Sequence, residues 1–187
     1  MYRTDFFYLY SEPTFQPMSL KSAVVAEFEL RVFNESYVRI YRCLNMISDD
    51  ELWKQPASGI PSIGNLILHI CGNARQWVLS GLGDKEDNRD RDQEFVSRQK
   101  IKKAELVFLM ENLKMNIRQV LKDLKEKDLA AQRNIQGFEV TGFSALVHVL
   151  EHFSYHTGQI TMLTKLWTGK DTGYYAGMNL NKQNGKY

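Results

Sequence analysis

The segment HVLEHFSYHTGQI, residues 148–160, holds three of the four histidines of the chain, His148, His152 and His156, spaced four apart. Neutral imidazole is a common ligand of divalent metals, and side chains four apart on a helix lie ~5–6 Å from each other on one face. Two such rings can converge on one ion at metal–nitrogen distances of ~2.1 Å. Eight residues rise ~12 Å along a helix, so His148 and His156 cannot share an ion. The candidate pairs are His148/His152 and His152/His156.

The helical wheel separates them. At ~100° per residue, Glu151, Ser154, Gly158 and Lys165 mark a solvent side, and Val149, Phe153, Ile160 and Trp167 lie opposite. His156 projects close to the buried centre and His152 to its flank, beside Gln159. His148 falls near the solvent boundary. The inward pair is His152/His156.

The fourth histidine, His69, sits in a different pattern. Within ~40° of it on a wheel fall Ser62, Asn65, Asn73, Gln76 and Ser80, an uncharged polar stripe. A solvent face in a chain this rich in Lys and Glu would carry charges. The stripe reads as the wall of a polar pocket, with His69 facing the other histidines. A lone histidine beside apolar residues is ordinarily just a hydrogen-bonded core or boundary residue. The joint pattern is what points to a metal. Three imidazoles with an open position make a catalytic or ligand-exchanging site. With no anionic protein ligand the ion keeps its double charge and acidifies a bound water or thiol, which suits hydrolysis and thiol transfer alike. Imidazole suits zinc, nickel, copper and iron, so the metal stays open at this point.

Four long helices must position these side chains. Phe33, Tyr37, Ile40, Leu44 and Ile47 recur at helical spacing within a first helix from Ser19 to about Ser48. Ser48 and Glu51 form a capping-box pattern that starts a short helix, and Pro56, Gly59 and Pro61 then break the chain. The second helix runs from Ser62 to about Leu82. The third, from about Ile101 to Lys127, carries Leu106, Leu109, Leu113, Ile117, Val120 and Leu124 on one stripe. The fourth runs from about Thr141 to Trp167 and ends at Gly169. No strand of convincing length is visible, GFEV being too short to decide. Apolar stripes on helices this long must bury against each other, which predicts an all-α four-helix bundle. The long crossover between the second and third helices is sufficient to travel the length of a bundle.

Within that crossover, NRDRDQEF (88–95) reads first as a solvated charged loop. If it lies over the metal end, Arg89 or Arg91 could meet an anionic substrate, and Asp92 and Glu94 are general-base candidates. Trp77 is assigned to the core. Cys71, two residues from His69, points away from it and is a poor ligand.

The balance of the chain excludes several classes. Its 187 residues suit one domain, and the net charge of +2, with acids and bases interleaved, shows no basic stripe for a nucleic acid. Cys43 and Cys71 form no CxxC pair and fit reduced thiols of a cytoplasmic protein. No apolar run reaches the ~18 residues of a membrane span, and Asp5, Glu12, Pro13 and Pro17 interrupt any secretory signal pattern. The organisation expected is an N-terminal extension (1–18), one helical domain (19–170) and a C-terminal tail (171–187), in which Tyr174 and Tyr175 are candidates to dock on the bundle or a partner chain.

SIGNLILHICGNARQWVLSGLG, RDRDQEF and IQGFEVTGFSALVHVLEHFSYHTGQITMLTKLWTGKD together resemble the DinB-like superfamily, and within it an uncharacterised bacterial subfamily. The likeness runs from about Leu20 to Asp171, and H-x3-H-x-G-Q is its most specific part. It implies an up-down-down-up four-helix bundle, commonly a homodimer. It also implies a metal site with one histidine from helix 2 and two from helix 4, here His69, His152 and His156. Characterised relatives include bacillithiol transferases and a mycothiol-dependent maleylpyruvate isomerase, and others are described as metal-dependent hydrolases. The resemblance supports a metal site more strongly than any one chemistry. The expectation is a divalent-metal hydrolase or low-molecular-weight-thiol transferase, with zinc or nickel ahead of iron or manganese, acting on a small molecule. Its rival is a non-catalytic, dimeric metal- or ligand-binding module.

Overall fold

Ser19 opens the first helix, its Oγ accepting from the backbone N of Ser22 at 3.1 Å. In the computed structural model, which describes residues 18–96 and 101–183, α1 (Leu20–Phe28), a π-helical segment (Glu29–Ser36) and α2 (Tyr37–Met46) run on as one long helix. The backbone is right-handed helical at both joins. α3 (Asp49–Trp53) starts from the expected capping box: Ser48 Oγ accepts from Glu51 N at 3.1 Å, and Glu51 Oε2 accepts from Ser48 N at 2.7 Å. α4 (Ile63–Ala74) begins with a second box, Ser62 with Asn65, and continues into a π-helical segment (Arg75–Ser80). α5 (Arg91–Val96) lies in the crossover and is followed by α6 (Lys103–Asp123) and α7 (Glu126–Ala130). α8 (Gly142–Thr168) is capped by Thr141 and stops at Gly169, whose φ of 64° is a conformation glycine adopts without a Cβ clash.

The chain is mostly helical, and it departs from the all-α expectation in one place. β1 (Gln132–Ile135) pairs antiparallel with β2 (Phe138–Thr141), Ile135 opposite Phe138 and Gln132 opposite Thr141. The turn between them, Gln136 at φ 56° and Gly137 at φ 83°, has the two left-handed positions a two-residue hairpin requires. Ile135 anchors the hairpin, buried against Gly81. The third helix also differs. It starts at Lys103, and extended backbone at Leu124 and Lys125 ends it before α7 begins. Leu109, expected on its buried stripe, is 38% exposed, while Met110 and Leu121 are buried.

One core joins the long helices. The Tyr37 ring stacks on Phe153 of α8 at 5.7 Å and meets Phe33 edge-on at 5.2 Å, while its hydroxyl donates to Met110 O of α6 at 3.1 Å. Each buried aromatic ring of this kind contributes roughly 1.5–3 kcal/mol through removal from water. Along the α1–α2/α6 seam, Lys21 Nζ donates to Lys122 O, Arg118 pairs with Glu29 at 2.7 Å, and Lys103 Nζ donates to Ile47 O at 2.5 Å. These two segments therefore lie side by side in opposite directions.

Of the tail, Thr172 is buried, Arg42 Nη1 donates to Gly173 O at 2.8 Å, and the Tyr174 hydroxyl meets Cys43 Sγ at 3.1 Å and Thr161 Oγ1 at 2.8 Å. The expected N-terminal extension, apart from Met18, lies outside the described residues. Among the described residues no helix is long and apolar enough to cross a membrane.

Candidate metal centre

α4 and α8 face each other across the site, and the crossover closes one side of it. The Ser62/Asn65 cap fixes the start of α4, and the same Asn65 donates from Nδ2 to Glu94 O of α5 at 2.9 Å. One residue thus sets the helix that carries His69 and the segment that packs behind it. His69 is buried at 5% exposure, His156 at 8%, and His152 is half-buried.

The three histidines converge. His69 Nε2 lies 3.0 Å from His152 Nε2, and one ligand nitrogen from each of His69, His152 and His156 falls within 4.8 Å of the others. The opposite edges of two rings are held by acceptors. His69 Nδ1 is 2.8 Å from Glu94 Oε2, and His156 Nδ1 is 2.7 Å from Gln159 Oε1. Carboxylate and amide oxygens can only accept, so each Nδ1 carries the proton and each Nε2 keeps its lone pair. Arg89 Nη2 also approaches His69 Nδ1, at 3.2 Å, but a guanidinium has no lone pair and leaves that assignment unchanged.

Glu94 is itself held. Arg89 donates from Nε to Oε1 at 2.8 Å and from Nη2 to Oε2 at 2.9 Å, a two-pronged grip, and from Nη1 to Gln76 Oε1 at 2.9 Å. Burial by itself would raise the Glu94 carboxyl, but the hydrogen bonds from Arg89 and His69 and the Arg89 charge outweigh it and hold the group below the usual carboxylate range. Gly72 leaves room for this carboxylate. A Cβ there would run into Glu94 Oε1 and stand 3.2 Å from Arg89 Nε.

Two of the rings, His152 and His156, are pushed toward the neutral form by their surroundings. Burial first, then the neighbouring His156, His69, His148 and Arg89, pushes His152 down to about 3. Burial lowers His156 as well, against the opposing hydrogen bond from Gln159. Imidazole nitrogens gathered this closely are the donor set a divalent ion takes, and a carboxylate behind a ligating histidine is the usual support for one. The residues present fit such an ion. Arg89 offsets the Glu94 charge, so a bound ion would keep its double charge.

Other expectations resolve differently. Arg89 is turned inward onto Glu94, its side chain 4% exposed, and presents no fork to a substrate. Glu94, gripped from three sides, supports His69 and is a poor base. Arg91 lies over the Phe95 ring at 5.2 Å, and Asp92 is exposed in the first turn of α5; neither joins the cluster. His148 lies against the π-helical segment, stacked on Trp77 at 3.7 Å and accepting from Asn73 Nδ2 at 3.1 Å. It is half-buried, and it is not one of the three converging histidines. Trp77 is buried as expected and doubles as the shelf for His148. Cys71 is buried, which pushes its thiol upward and leaves it inert.

Glu94 and Gln159 as partners of the clustered rings escaped the sequence reading. One signal for Glu94 was present. A glycine inside an apolar helix costs about 1 kcal/mol relative to alanine, so Gly72, one turn from His69, marks a close approach.

Comparison with known proteins bears on the fold and the family. A DinB-like protein from Bacillus cereus superposes with a TM-score of 0.59 at 20% identity, covering 76% of this chain and 91% of its own. A conserved protein from Enterococcus faecalis gives 0.64 at 16% identity, covering 82% and 99%. A DinB-like protein from Bacillus subtilis gives 0.59 at 18% identity, covering 87% and 99%. Identities this low speak to the fold alone. No curated protein matches the sequence significantly. The model of one sequence family matches residues 26–176, most of the chain. The chain belongs to that family, described as protein of unknown function (DUF1572), and its fold is that of the DinB-like proteins.

Proposed function

We propose that this protein binds one divalent metal ion through His69, His152 and His156 and uses it on a small molecule, as a hydrolase or a low-molecular-weight-thiol transferase. The observation that carries the reading is the convergence of three imidazole nitrogens within 4.8 Å, with two rings oriented by Nδ1 partners. Zinc or nickel suits three neutral imidazoles best, ahead of iron or manganese. Once bound, the ion supplies Lewis acidity toward a water or thiol. The chain's own part is to push His152 and His156 toward the neutral form, to fix the His69 and His156 tautomers, and to back His69 with a carboxylate whose charge Arg89 cancels. No other side chain in the cluster is a poised nucleophile, which is why the chemistry is assigned to the ion.

The wider reading follows the same line. An up-down-down-up bundle is supported by two sets of contacts. α1–α2 runs opposite to α6 along the Lys21–Lys122 to Ile47–Lys103 seam, and α4 runs opposite to α8, with His69 beside His152 and Asn73 beside His148. A cytoplasmic location is supported by two free, buried cysteines.

Metal analysis of purified protein tests the site. The expected result is about one divalent ion per chain, lost in His152→Ala/His156→Ala. Full metal content in the double variant would overturn the assignment. A panel of thiols and electrophiles, with metal-loaded and chelated protein, then separates an enzyme from a binding module.

A further inference from the structure

The short helix α5 is fixed to α4 by one residue and presents two others. Glu94 turns inward, its carboxylate on His69 and its backbone carbonyl held by Asn65 Nδ2 at 2.9 Å. Arg91 and Phe95, four apart, share another face. The Phe95 ring is half-buried and lies 4.7 Å from the His69 ring, inclined at 45°. The Arg91 guanidinium sits over that ring at 5.2 Å, and the residue is exposed. From buried His69 through Phe95 to Arg91, the series leads out of the cluster to solvent.

The two arginines of the crossover differ in what they hold. Arg89 is taken up by Glu94 and Gln76. Apart from its contact with Phe95, Arg91 makes neither a hydrogen bond nor an ion pair among the described residues. Its neighbours in sequence, Asp90 and Asp92, are exposed, and neither pairs with it. An aromatic face strips water from one side of a guanidinium and leaves the planar fork of N–H donors free at its edge. That fork matches a carboxylate through two parallel hydrogen bonds. A dianionic phosphate would be repelled more strongly by Asp90 and Asp92, so the single charge of a carboxylate suits the position better.

Other sides of the cluster are occupied. Glu94 and Arg89 stand behind His69, Gln159 holds the Nδ1 edge of His156, and His148 stacks beside His152 at 5.5 Å. Two rings that keep accessible surface also lie against it: Phe95, and Tyr155, which is edge-on to His156 at 4.9 Å and 63% exposed. We propose that the substrate of this site is a small carboxylic acid that approaches on this side. One end carries the group that binds the ion, an apolar stretch lies along Phe95, and the carboxylate at the other end pairs with Arg91. The inference rests on the metal-site reading above and adds a substrate class to it. Arg91 acts as a specificity residue, apart from the ligands of the ion.

Cobalt-loaded full-length protein reads this directly, because a thiolate bound to cobalt gives a charge-transfer band. Two probe series of matched, increasing chain length are titrated, ω-mercaptocarboxylates and ω-mercaptoalcohols. Acids long enough to span Phe95 should bind about tenfold more tightly than alcohols of the same length, the worth of a charge-assisted hydrogen bond. Arg91→Gln should abolish that preference while leaving cobalt content, alcohol affinity and helical circular dichroism unchanged. Lys170→Gln removes an exposed charge just beyond α8 and should keep the preference. Acids and alcohols that bind alike in wild type, or an acid preference that survives Arg91→Gln, would overturn the proposal and leave the metal site standing. Protein that takes up no cobalt, or takes it up and gives no band with either series, would sink the metal-site reading along with it.

Discussion

Gly72 is the residue at which a single methyl group would be felt at the site without touching a ligand. Its missing Cβ is the space the Glu94 carboxylate occupies, and Glu94 orients His69. In Gly72→Ala the carboxylate must shift, and His69 loses the acceptor that fixes its proton on Nδ1. Loss of such outer support typically weakens metal binding by about 10–100-fold. The expected result is a fall of that size in zinc affinity, measured by competition with a chromophoric chelator, with helical circular dichroism retained. Wild-type affinity in Gly72→Ala would mean that Glu94 does not support the ion. His148 supplies the contrast. It has a ring of the right kind one turn from His152, but Asn73 and Trp77 hold it. His148→Ala should keep its full metal content, and a loss of stoichiometry there would show that His148 is a ligand.

At the scale of the element, the β-hairpin is the part of the fold the sequence hid. Its turn is Gln-Gly, and Gln gives little sign of a left-handed position; only Gly137 announces one. Four-residue strands are also too short for alternation to stand out. Gly137→Val forces a β-branched residue to φ 83° and should cost about 1–2 kcal/mol, read as a lower chemical denaturation midpoint. Gln136 also accepts from Trp77 Nε1 at 3.1 Å, so the hairpin braces the shelf under His148. An unchanged midpoint would mean the turn relaxes without strain. The long helices, by contrast, were legible because apolar spacing survives tertiary context. So was the inward direction of His152 and His156, since a wheel needs only a straight helix. The Glu94–Arg89 grip was not legible. It depends on where the crossover folds back, and NRDRDQEF looks like any solvated loop until Phe95 and Asn65 hold it down.

For the whole molecule, pH links the site to the fold. His152 has its folded value depressed from 6.5 to about 3, and His156 and His148 are lowered too, all chiefly by burial. The unfolded chain therefore binds more protons than the folded one as pH falls below the ordinary imidazole range. Stability from these rings is fully present above about pH 6.5 and drains away as the pH falls toward the folded values. Glu94 acts in the same direction lower down. Its lowered carboxyl contributes stability above its ordinary value of 4.5 and loses it as the pH drops further. Protons also compete with a bound ion at each ligand nitrogen, so release should be steep, falling between about pH 6 and 4. The fold has a second source of stability that protons do not touch, the apolar core around Tyr37, Phe153 and Met110. Following bound metal and helical circular dichroism through one acid titration should show the ion leaving first, with most of the helix signal still in place. Metal retained unchanged at pH 4 would require carboxylate ligands that the three-histidine site does not contain. Helix lost in step with the metal would make the ion a structural staple, and the open, ligand-exchanging site would no longer stand.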